Sequence, residues 1–368
     1  MKKQVKKATK INKKLILKIL LIVLVVIVML LLISFITHRI KSKNEYNELK
    51  ELGYINKYSA GEYNLNIYRV GNKDSKYKLI ALSGLGVHNY SMEMDFVNEK
   101  LKDDYEIIYI DRAGYGYSDD TSKTQTVEQI VSDYRTALKN ANITGEYILL
   151  PHSLGGVYAT YWESMYPEEI KGVILIDTSE LGLDVWDEEE YSVGIIDYLE
   201  LFACNLGLQR LVLEKYYYPL PSYYSKDAQK ISKYLNTHSA TSKAMISEIK
   251  EINNNTNKAY KNIRSNNIPK IYINSKGYSR IEEVKENFKW INERQKELGM
   301  EVIKMPTDEV AQKIIESTKK WEEERIKPYT DLLGNTEIIN LPGDHMLFEQ
   351  KPEELAEIIK NFLIKLEN

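Results

Sequence analysis

Short apolar runs alternate with amphipathic stretches along the chain after residue 45. The runs are rich in Ile, Leu and Tyr, and most have a turn-forming residue close behind, which is the pattern of buried strands. The predicted strands are KLIALSG (78–84), EIIYIDR (106–112), EYILLPH (146–152), GVILIDT (172–178), KIYINS (270–275) and EIINLPG (337–343). Six such strands predict one sheet.

Stretches with helical spacing lie between these strands and after the last one. They are NYSMEMDFVNEKL (89–101), TVEQIVSDYRTALKNA (126–141), GGVYATYWESMY (155–166) and PEELAEIIKNFLIKL (352–366). The repeated order of strand, helix and strand predicts the α/β class, with a mostly parallel sheet covered by helices on both faces. Residues 54–61 and 62–71 alternate polar with apolar positions and predict an antiparallel pair at one edge of the sheet.

Two long intervals interrupt this alternation. Residues 181–267 are too long for a simple connection and predict an inserted helical lid. Its tyrosine-rich part, EKYYYPLPSYYS (214–225), would line an apolar pocket or simply pack the lid onto the core. Residues 276–335 form a second interval with charged helical patterns. The predicted units are a basic tail with a membrane anchor (1–44), the first part of the core (45–180), the lid (181–267) and the second part of the core (268–368).

The N-terminal region has a different pattern. Residues Ile19 to Phe35 carry no charge, and with their apolar neighbours they reach the roughly 20 residues that a helix needs to cross a bilayer. A cleaved signal peptide would have a shorter apolar region and a small-x-small cleavage site, which SFITHRIKSK (34–43) lacks. A hydrophobic hairpin buried in the globular domain would show polar alternation, which this run lacks. The pattern therefore predicts an uncleaved single-pass anchor in the cell membrane.

Charge sets the predicted orientation of this anchor and argues against one class of partner. Eight lysines precede Ile19, whereas only Arg39, Lys41 and Lys43 follow soon after the apolar run. The positive-inside rule then predicts a cytoplasmic N-terminus and an extracytoplasmic body. Beyond residue 44 the chain has 39 basic and 53 acidic residues, and such an acidic body argues against nucleic acid as a partner. The single cysteine, Cys204, excludes an internal disulfide.

Ser153 is the first candidate for chemistry. It follows a predicted buried strand and precedes a helix that begins with Gly155 and Gly156. In this context a serine can occupy a sharp turn with its hydroxyl above the sheet, and small neighbours let the helix approach the strand closely. The alternative is an ordinary N-cap serine, which is common at the start of helices.

A serine nucleophile needs a base, and His345 is the candidate. It follows the last predicted strand and precedes the final helix, so it would lie at the same carboxyl edge of the sheet as Ser153. The glycine-containing turn at 83–87 follows an earlier strand. The backbone N–H groups of Leu85 and Leu154 could there face a developing oxyanion. Histidine and cysteine pairs with metal-ligand spacing are absent from the sequence, so no metal site and no cofactor are predicted.

The chain resembles the α/β-hydrolase family over roughly residues 60–180 and 268–368. The motifs that carry the resemblance are LSGLG (82–86), DRAGYGYSD (111–119), PHSLGG (151–156), YPEEIKGVILID (166–177) and GDHMLFEQKPEELAEIIKNFL (343–363). The resemblance implies Ser153 as nucleophile, His345 as general base and Leu85 and Leu154 as oxyanion donors, and it gives the 111–118 turn a structural role. This chain differs from many relatives in having Ser83 in place of histidine and Pro151 in place of glycine.

The third member of a triad is predicted to be Asp177. Many relatives carry the acid soon after the penultimate strand, where this chain has Tyr278. Asp177 ends the strand that follows the nucleophile's helix, so its carboxylate would emerge near Ser153. Glu282 and Glu283 are the alternatives, together with Asp344, which adjoins His345 in sequence and would have to turn back on its neighbour. A simple turn residue is the other interpretation of Asp177.

Two classes of function follow from these residues. The first is a membrane-anchored serine hydrolase that cleaves an ester, amide or similar acyl bond of a small molecule, with apolar acyl compounds among the expected substrates. The second is a non-catalytic binding or sensor protein on the same scaffold. A carbon–carbon bond hydrolase or a cofactor-free peroxidase would use the same three residues, whereas dehalogenases and epoxide hydrolases of this family use an aspartate where this chain has Ser153.

Overall fold

A computed structural model describes residues 13–88, 90–183, 191–211, 224–238 and 240–367. Its strands form one eight-stranded sheet in the order β1-β2-β4-β3-β5-β6-β7-β8. The strands are β1 (Lys57–Ser59), β2 (Asn64–Gly71), β3 (Lys78–Leu82), β4 (Glu106–Ile110), β5 (Tyr147–Pro151), β6 (Ile170–Ile176), β7 (Lys270–Asn274) and β8 (Thr336–Asn340). The six predicted runs are β3 to β8, and the predicted edge pair is β1 and β2.

The direction of the strands agrees with the prediction. β1 pairs antiparallel with β2, and β2 pairs antiparallel with β4. Every other pair of neighbours is parallel. The carboxyl ends of β3, β5, β6, β7 and β8 therefore meet at one edge, where active sites of open α/β sheets form.

Helices cover both faces of this sheet. Those of the described residues are α1 (Lys13–Glu51), α2 (Tyr90–Glu93), α3 (Asp95–Leu101), α4 (Val127–Asn140), α5 (Gly155–Met165), α6 (Ile195–Asn205), α7 (Lys226–His238), α8 (Lys243–Lys261), α9 (Ile281–Glu297), α10 (Asp308–Trp321), α11 (Lys327–Leu333), α12 (Leu347–Gln350) and α13 (Pro352–Glu367). Apolar side chains of α4, α5, α8 and α11 form the core on one face. Those of α3 and α13 form the core on the other face. The predicted fold class is thus confirmed.

The two intervals of the sequence are helical in the structure. Helices α6, α7 and α8 lie between β6 and β7, within the predicted lid. Helices α9, α10 and α11 lie between β7 and β8, and a π-helical turn (Glu322–Ile326) joins α10 to α11. Residues 214–223 of the tyrosine-rich segment, and the first twelve residues of the predicted basic tail, lie outside the described residues.

Helix α1 is continuous from Lys13 to Glu51 and includes the apolar run. It is long and apolar enough to cross a membrane, and its most apolar stretch is not buried by protein. Helices of this kind occur both in membrane anchors and in signal sequences. The helix continues through the predicted unit boundary at residue 44. Ser42 and Leu49, on its later turns, are buried against the body of the protein.

A buried ion pair joins α5 to β7 and so holds the helix that follows Ser153 against the sheet. Lys270 Nζ lies 2.9 Å from Glu163 Oε1, and both side chains are almost completely buried. The ammonium also donates to the carbonyl groups of Ile268 and Gly334. Because all of these groups have left water, removal of either charge would leave the other uncompensated.

We therefore expect Glu163→Gln to lower the free energy of unfolding by about 3 kcal/mol, the cost of leaving one charge of a buried pair without its partner. Denaturant titration of the full chain in detergent measures this. Glu353→Gln is the matched control, because Glu353 pairs with Lys100 on the exposed surface, where such pairs contribute little. Equal stability of the two variants would contradict the conclusion that Glu163 and Lys270 form a buried pair of charges.

Candidate active site

Ser153 lies on a strained turn between β5 and α5. Its φ is 52°, in the left-handed region that non-glycine residues seldom occupy. Gly155 makes the turn possible, because a Cβ at this residue would lie 2.3 Å from the carbonyl oxygen of Leu82 on the neighbouring strand. Pro151 ends β5 in register with Leu82. The predicted strand, turn and helix around Ser153 are therefore present with proline in the glycine position.

Asp177 and His345 are in direct contact. Asp177 follows β6 and also has a left-handed backbone, with a φ of 42°. One of its carboxylate oxygens lies 2.5 Å from Nδ1 of His345, and the other accepts a hydrogen bond from the backbone N–H of Ser275 at 3.0 Å. Burial alone would raise the pKa of Asp177, but the hydrogen bonds from His345 and Ser275 outweigh it and lower the pKa below its usual value. Asp177 is thus an anion that holds the imidazole.

The alternative acids lie elsewhere. Glu283 accepts hydrogen bonds from the backbone N–H groups of Ser279 and Arg280 and so caps the first turn of α9. Glu282 lies in the first turn of the same helix. The side chain of Asp344 accepts from the backbone N–H of Met346 and stabilises the turn that carries His345. Among the described carboxylates, Asp177 alone is hydrogen-bonded to the His345 ring.

A cleft of about 560 Å³ brings Ser153, Asp177 and His345 together. His345 is 47% exposed in its side chain, so the imidazole is accessible from the cleft. The lid (181–267) and the second interval (276–335) both contribute residues to the walls. The remaining lining residues are Thr178, Ser179, Glu180, Tyr191, Lys276, Trp321 and Arg325.

The walls of this cleft contain an aromatic ring with two cations close to it. The Lys276 ammonium lies 5.7 Å and the Arg325 guanidinium 5.3 Å from the centroid of the Trp321 ring. The indole N–H of Trp321 donates to Glu180, which also accepts from the hydroxyl of Tyr272. Sequence analysis missed these residues, because Trp321 and Arg325 lie in the second interval, far from any motif.

The turn at 83–87 approaches Ser153 closely. A Cβ on Gly84 would lie 2.9 Å from Cβ of Ser153, so glycine is required for this approach. Within the described part of the chain, neither the backbone N–H of Leu85 nor that of Leu154 donates to a protein acceptor. Neither amide is therefore engaged by an acceptor within the described residues, which is a condition that an oxyanion donor must meet.

Arg112 holds this turn in place. Its guanidinium is buried and donates to the carbonyl oxygens of Ser83 and Gly84 at 2.6 and 2.8 Å. Its Nε lies 3.0 Å from Glu248 on the lid helix α8. Arg112 belongs to the 111–119 motif, to which sequence analysis gave a structural role. The signal available in the sequence was an arginine at the end of a predicted buried strand.

A smaller cavity of about 180 Å³ lies beside Gly86 of the same turn. Gly86, His88 and Glu93 line it from the core, and apolar side chains of α7 line it from the lid. Burial, with a further contribution from Glu349, raises the pKa of Glu93 to about 8. Burial lowers the pKa of His88 to about 4. Both side chains are therefore neutral at pH 7, which leaves the cavity without a net charge.

His152 supports the loop that carries His345. Its ring is buried, its Nε2 lies 3.1 Å from the backbone oxygen of His345, and the two imidazole centroids are 4.4 Å apart. Burial, followed by the nearby His345, lowers the pKa of His152 to about 3. His152 is therefore neutral, so its Nε2–H can donate to the His345 carbonyl.

The fold described above agrees with the comparisons with known proteins. A model of the α/β-hydrolase fold matches residues 79–368, and the chain belongs to that family. The uncharacterized protein YbdG of Bacillus subtilis is 29% identical over 189 residues, which are 50% of this chain and 56% of that protein. The cis-3-alkyl-4-alkyloxetan-2-one decarboxylase of Shewanella oneidensis is 26% identical over 132 residues, which are 32% of this chain and 42% of that enzyme.

The chain thus matches about half the length of these curated relatives. Among solved structures, the enol-lactonase of Burkholderia xenovorans LB400 is similar with a TM-score of 0.51 and 13% identity. The similarity covers 83% of this chain and 99% of that chain. At this identity it shows the shared fold alone.

The neutral state of His152 predicts a pH dependence of stability. The unfolded chain takes up a proton on this residue as the pH falls below about 6.5, whereas the folded chain does so only near pH 3. Between these values the folded state loses stability as the pH falls. His152→Gln should remove one proton from this dependence, so its slope between pH 6 and 4 should be smaller by about 1.4 kcal/mol per pH unit.

Denaturant titrations of the full chain at several pH values measure both slopes. The glutamine amide keeps a donor for the His345 carbonyl, so the difference isolates the titration. Equal slopes for the two proteins would show that His152 binds its proton normally when folded.

Proposed function

We propose that the protein is a membrane-anchored serine hydrolase that cleaves an ester, amide or similar acyl bond of a small molecule. The observation that carries this proposal is the 2.5 Å contact between His345 Nδ1 and Asp177 Oδ2 in a cleft that also contains Ser153. An oriented imidazole beside a serine on a strained turn is the arrangement that activates a hydroxyl. Membership of the α/β-hydrolase family supports the same class.

In the proposed mechanism Ser153 Oγ attacks the acyl carbon while Nε2 of His345 accepts the hydroxyl proton. Asp177 fixes the tautomer that bears a proton on Nδ1 and stabilises the imidazolium. The amides of Leu85 and Leu154 donate to the oxyanion of the tetrahedral intermediate. The imidazolium then protonates the leaving group, and a water molecule activated by His345 releases the acyl group from Ser153.

The expected substrates are small acyl compounds with an apolar acyl group. The uncharged cavity beside Gly86 supports this expectation through the apolar side chains of Met92, Ile231 and Leu235, which share its walls with the polar Ser232 and Asn236. The enol-lactonase in the structural comparison acts on an ester bond, as its name states. Neither a metal nor an organic cofactor enters the proposed mechanism.

The proposed location is the cell membrane, with the N-terminus in the cytoplasm and the body outside. The apolar length of α1 supports the anchor, and the lysines before Ile19 support the orientation. The proposed units are the tail and anchor (1–44), the two parts of the hydrolase core (45–180 and 268–368) and the lid (181–267).

The nucleophile is tested by labelling intact cells with a membrane-impermeant fluorophosphonate. The wild-type protein should be labelled, and Ser153→Ala should not, because the probe phosphonylates an activated serine. Ser132→Ala, on the exposed side of α4, is the matched control and should be labelled as the wild type is. Labelling only after lysis would reverse the proposed orientation and leave the hydrolase proposal intact. No labelling before or after lysis, with short-chain p-nitrophenyl esters also untouched, would favour a non-catalytic binding protein.

The acid is tested by Asp177→Asn. The amide keeps the shape of the side chain but not its charge, so kcat for a p-nitrophenyl ester should fall by about 10⁴-fold, the effect of the same change in enzymes with a Ser-His-Asp triad. Glu283→Gln should retain the wild-type kcat, because Glu283 caps α9. A large loss in Glu283→Gln with activity kept in Asp177→Asn would transfer the role to the glutamate.

A further inference from the structure

The lid helix α6 carries an exposed apolar face. Ile195, Tyr198, Leu199 and Phe202 follow the i, i+3, i+4, i+7 spacing that places side chains on one side of a helix. Their exposed fractions are 76%, 47%, 59% and 59%. At about 100° per residue, the acidic Asp197 and Glu200 and the buried Cys204 fall on the other side. Contiguous apolar surface of this kind marks an interaction site.

The C-terminal end of α6 contacts α1 within its uncharged run. The hydroxyl of Ser34 donates to the backbone oxygen of Leu206, the residue after α6, at 2.9 Å. Toward the C-terminal end of α1, the first charged residue after Ser34 is Arg39, five positions further along the helix. With a rise of about 1.5 Å per residue, Ser34 lies about 7.5 Å deeper than Arg39 along the helix axis.

A buried arginine holds the lid segment after α6 against α1. The guanidinium of Arg210 donates to both carboxylate oxygens of Glu45, at 2.9 and 2.5 Å, and to the hydroxyl of Ser42 at 2.8 Å. It also donates to Nδ1 of His38. Because three successive turns of α1 bind one guanidinium, the level of α6 along α1 is determined by contacts outside the apolar run.

We infer that the exposed face of α6 docks on the outer leaflet of the bilayer that α1 crosses, a placement that rests on the proposed anchoring but not on the proposed chemistry. The occupant is lipid because the face is continuous with the apolar run of α1 through the Ser34–Leu206 contact. Helices that lie in a membrane interface bury their apolar face by about 5–10 Å, which matches the depth of Ser34 below Arg39. Tyr198, whose hydroxyl accepts a hydrogen bond from Lys250, has the amphipathic character of interfacial residues.

Site-directed spin labelling of the full chain in phosphatidylcholine–phosphatidylglycerol vesicles tests this placement. Since Cys204 is the single cysteine, Cys204→Ser gives a background without thiols. Nitroxides are attached to Phe202→Cys and Leu199→Cys on the exposed face. The matched controls are Glu200→Cys on the other side of α6, Ile364→Cys on the exposed surface of α13, and Val25→Cys within α1. Collisions with oxygen, which partitions into lipid, are compared with collisions with a polar nickel chelate.

The inference predicts oxygen-to-nickel collision ratios at residues 199 and 202 that approach the ratio at residue 25 and exceed those at residues 200 and 364 several-fold. Nickel access at 199 and 202 equal to that at 364, with residue 25 shielded, would overturn the docking and leave the anchor intact. Low access of both reagents at 199 and 202 would overturn it in favour of a protein partner. Free nickel access at residue 25 would remove the anchor itself, and the docking with it, without bearing on Ser153.

Discussion

The left-handed backbone at the ends of two neighbouring parallel strands is the constraint on which the candidate site depends. Ser153 after β5 and Asp177 after β6 both have positive φ values. Such conformations cost of order 1–3 kcal/mol each, and they persist only when surrounding contacts determine them. Here Gly84 and Gly155 allow backbone approaches that a Cβ would block. The turns place the hydroxyl and the carboxylate in one cleft, and the loop after β8 brings the imidazole to them.

A buried arginine connects the candidate site to the lid. Arg112 binds the backbone of the 83–87 turn on one side and Glu248 of α8 on the other. Its charge is buried, so loss of Glu248 would leave the guanidinium without a counter-charge, and loss of the turn carbonyls would leave its N–H groups without acceptors. The turn, the guanidinium and the lid helix are therefore held as one unit. Earlier in the lid, Arg210 performs the corresponding role toward α1. The proposed oxyanion site, the lid and the anchor are thus joined through two buried arginines.

Local patterns in the sequence account for the fold and for much of the candidate site. Apolar runs and turn residues predict strands β3 to β8. The rule that parallel strands end at one edge is sufficient to group Ser153, Asp177 and His345. The catalytic roles of these residues, and those of Leu85 and Leu154, stay predictions. Contacts that the lid makes with the rest of the chain were beyond this reasoning. Arg112 with Glu248, and Ser34 with Leu206, depend on where the lid packs, which no periodicity in either segment encodes.

The central claim is that Ser153 attacks an acyl carbon whose oxygen the amides of Leu85 and Leu154 then stabilise. A crystal structure of the fluorophosphonate adduct tests it most directly, because the tetrahedral phosphorus reproduces the shape of the intermediate. The account predicts phosphorus bonded to Ser153 Oγ, with the phosphoryl oxygen within about 2.7–3.1 Å of both amide nitrogens. An adduct on another residue, or a phosphoryl oxygen directed away from both amides, would contradict it.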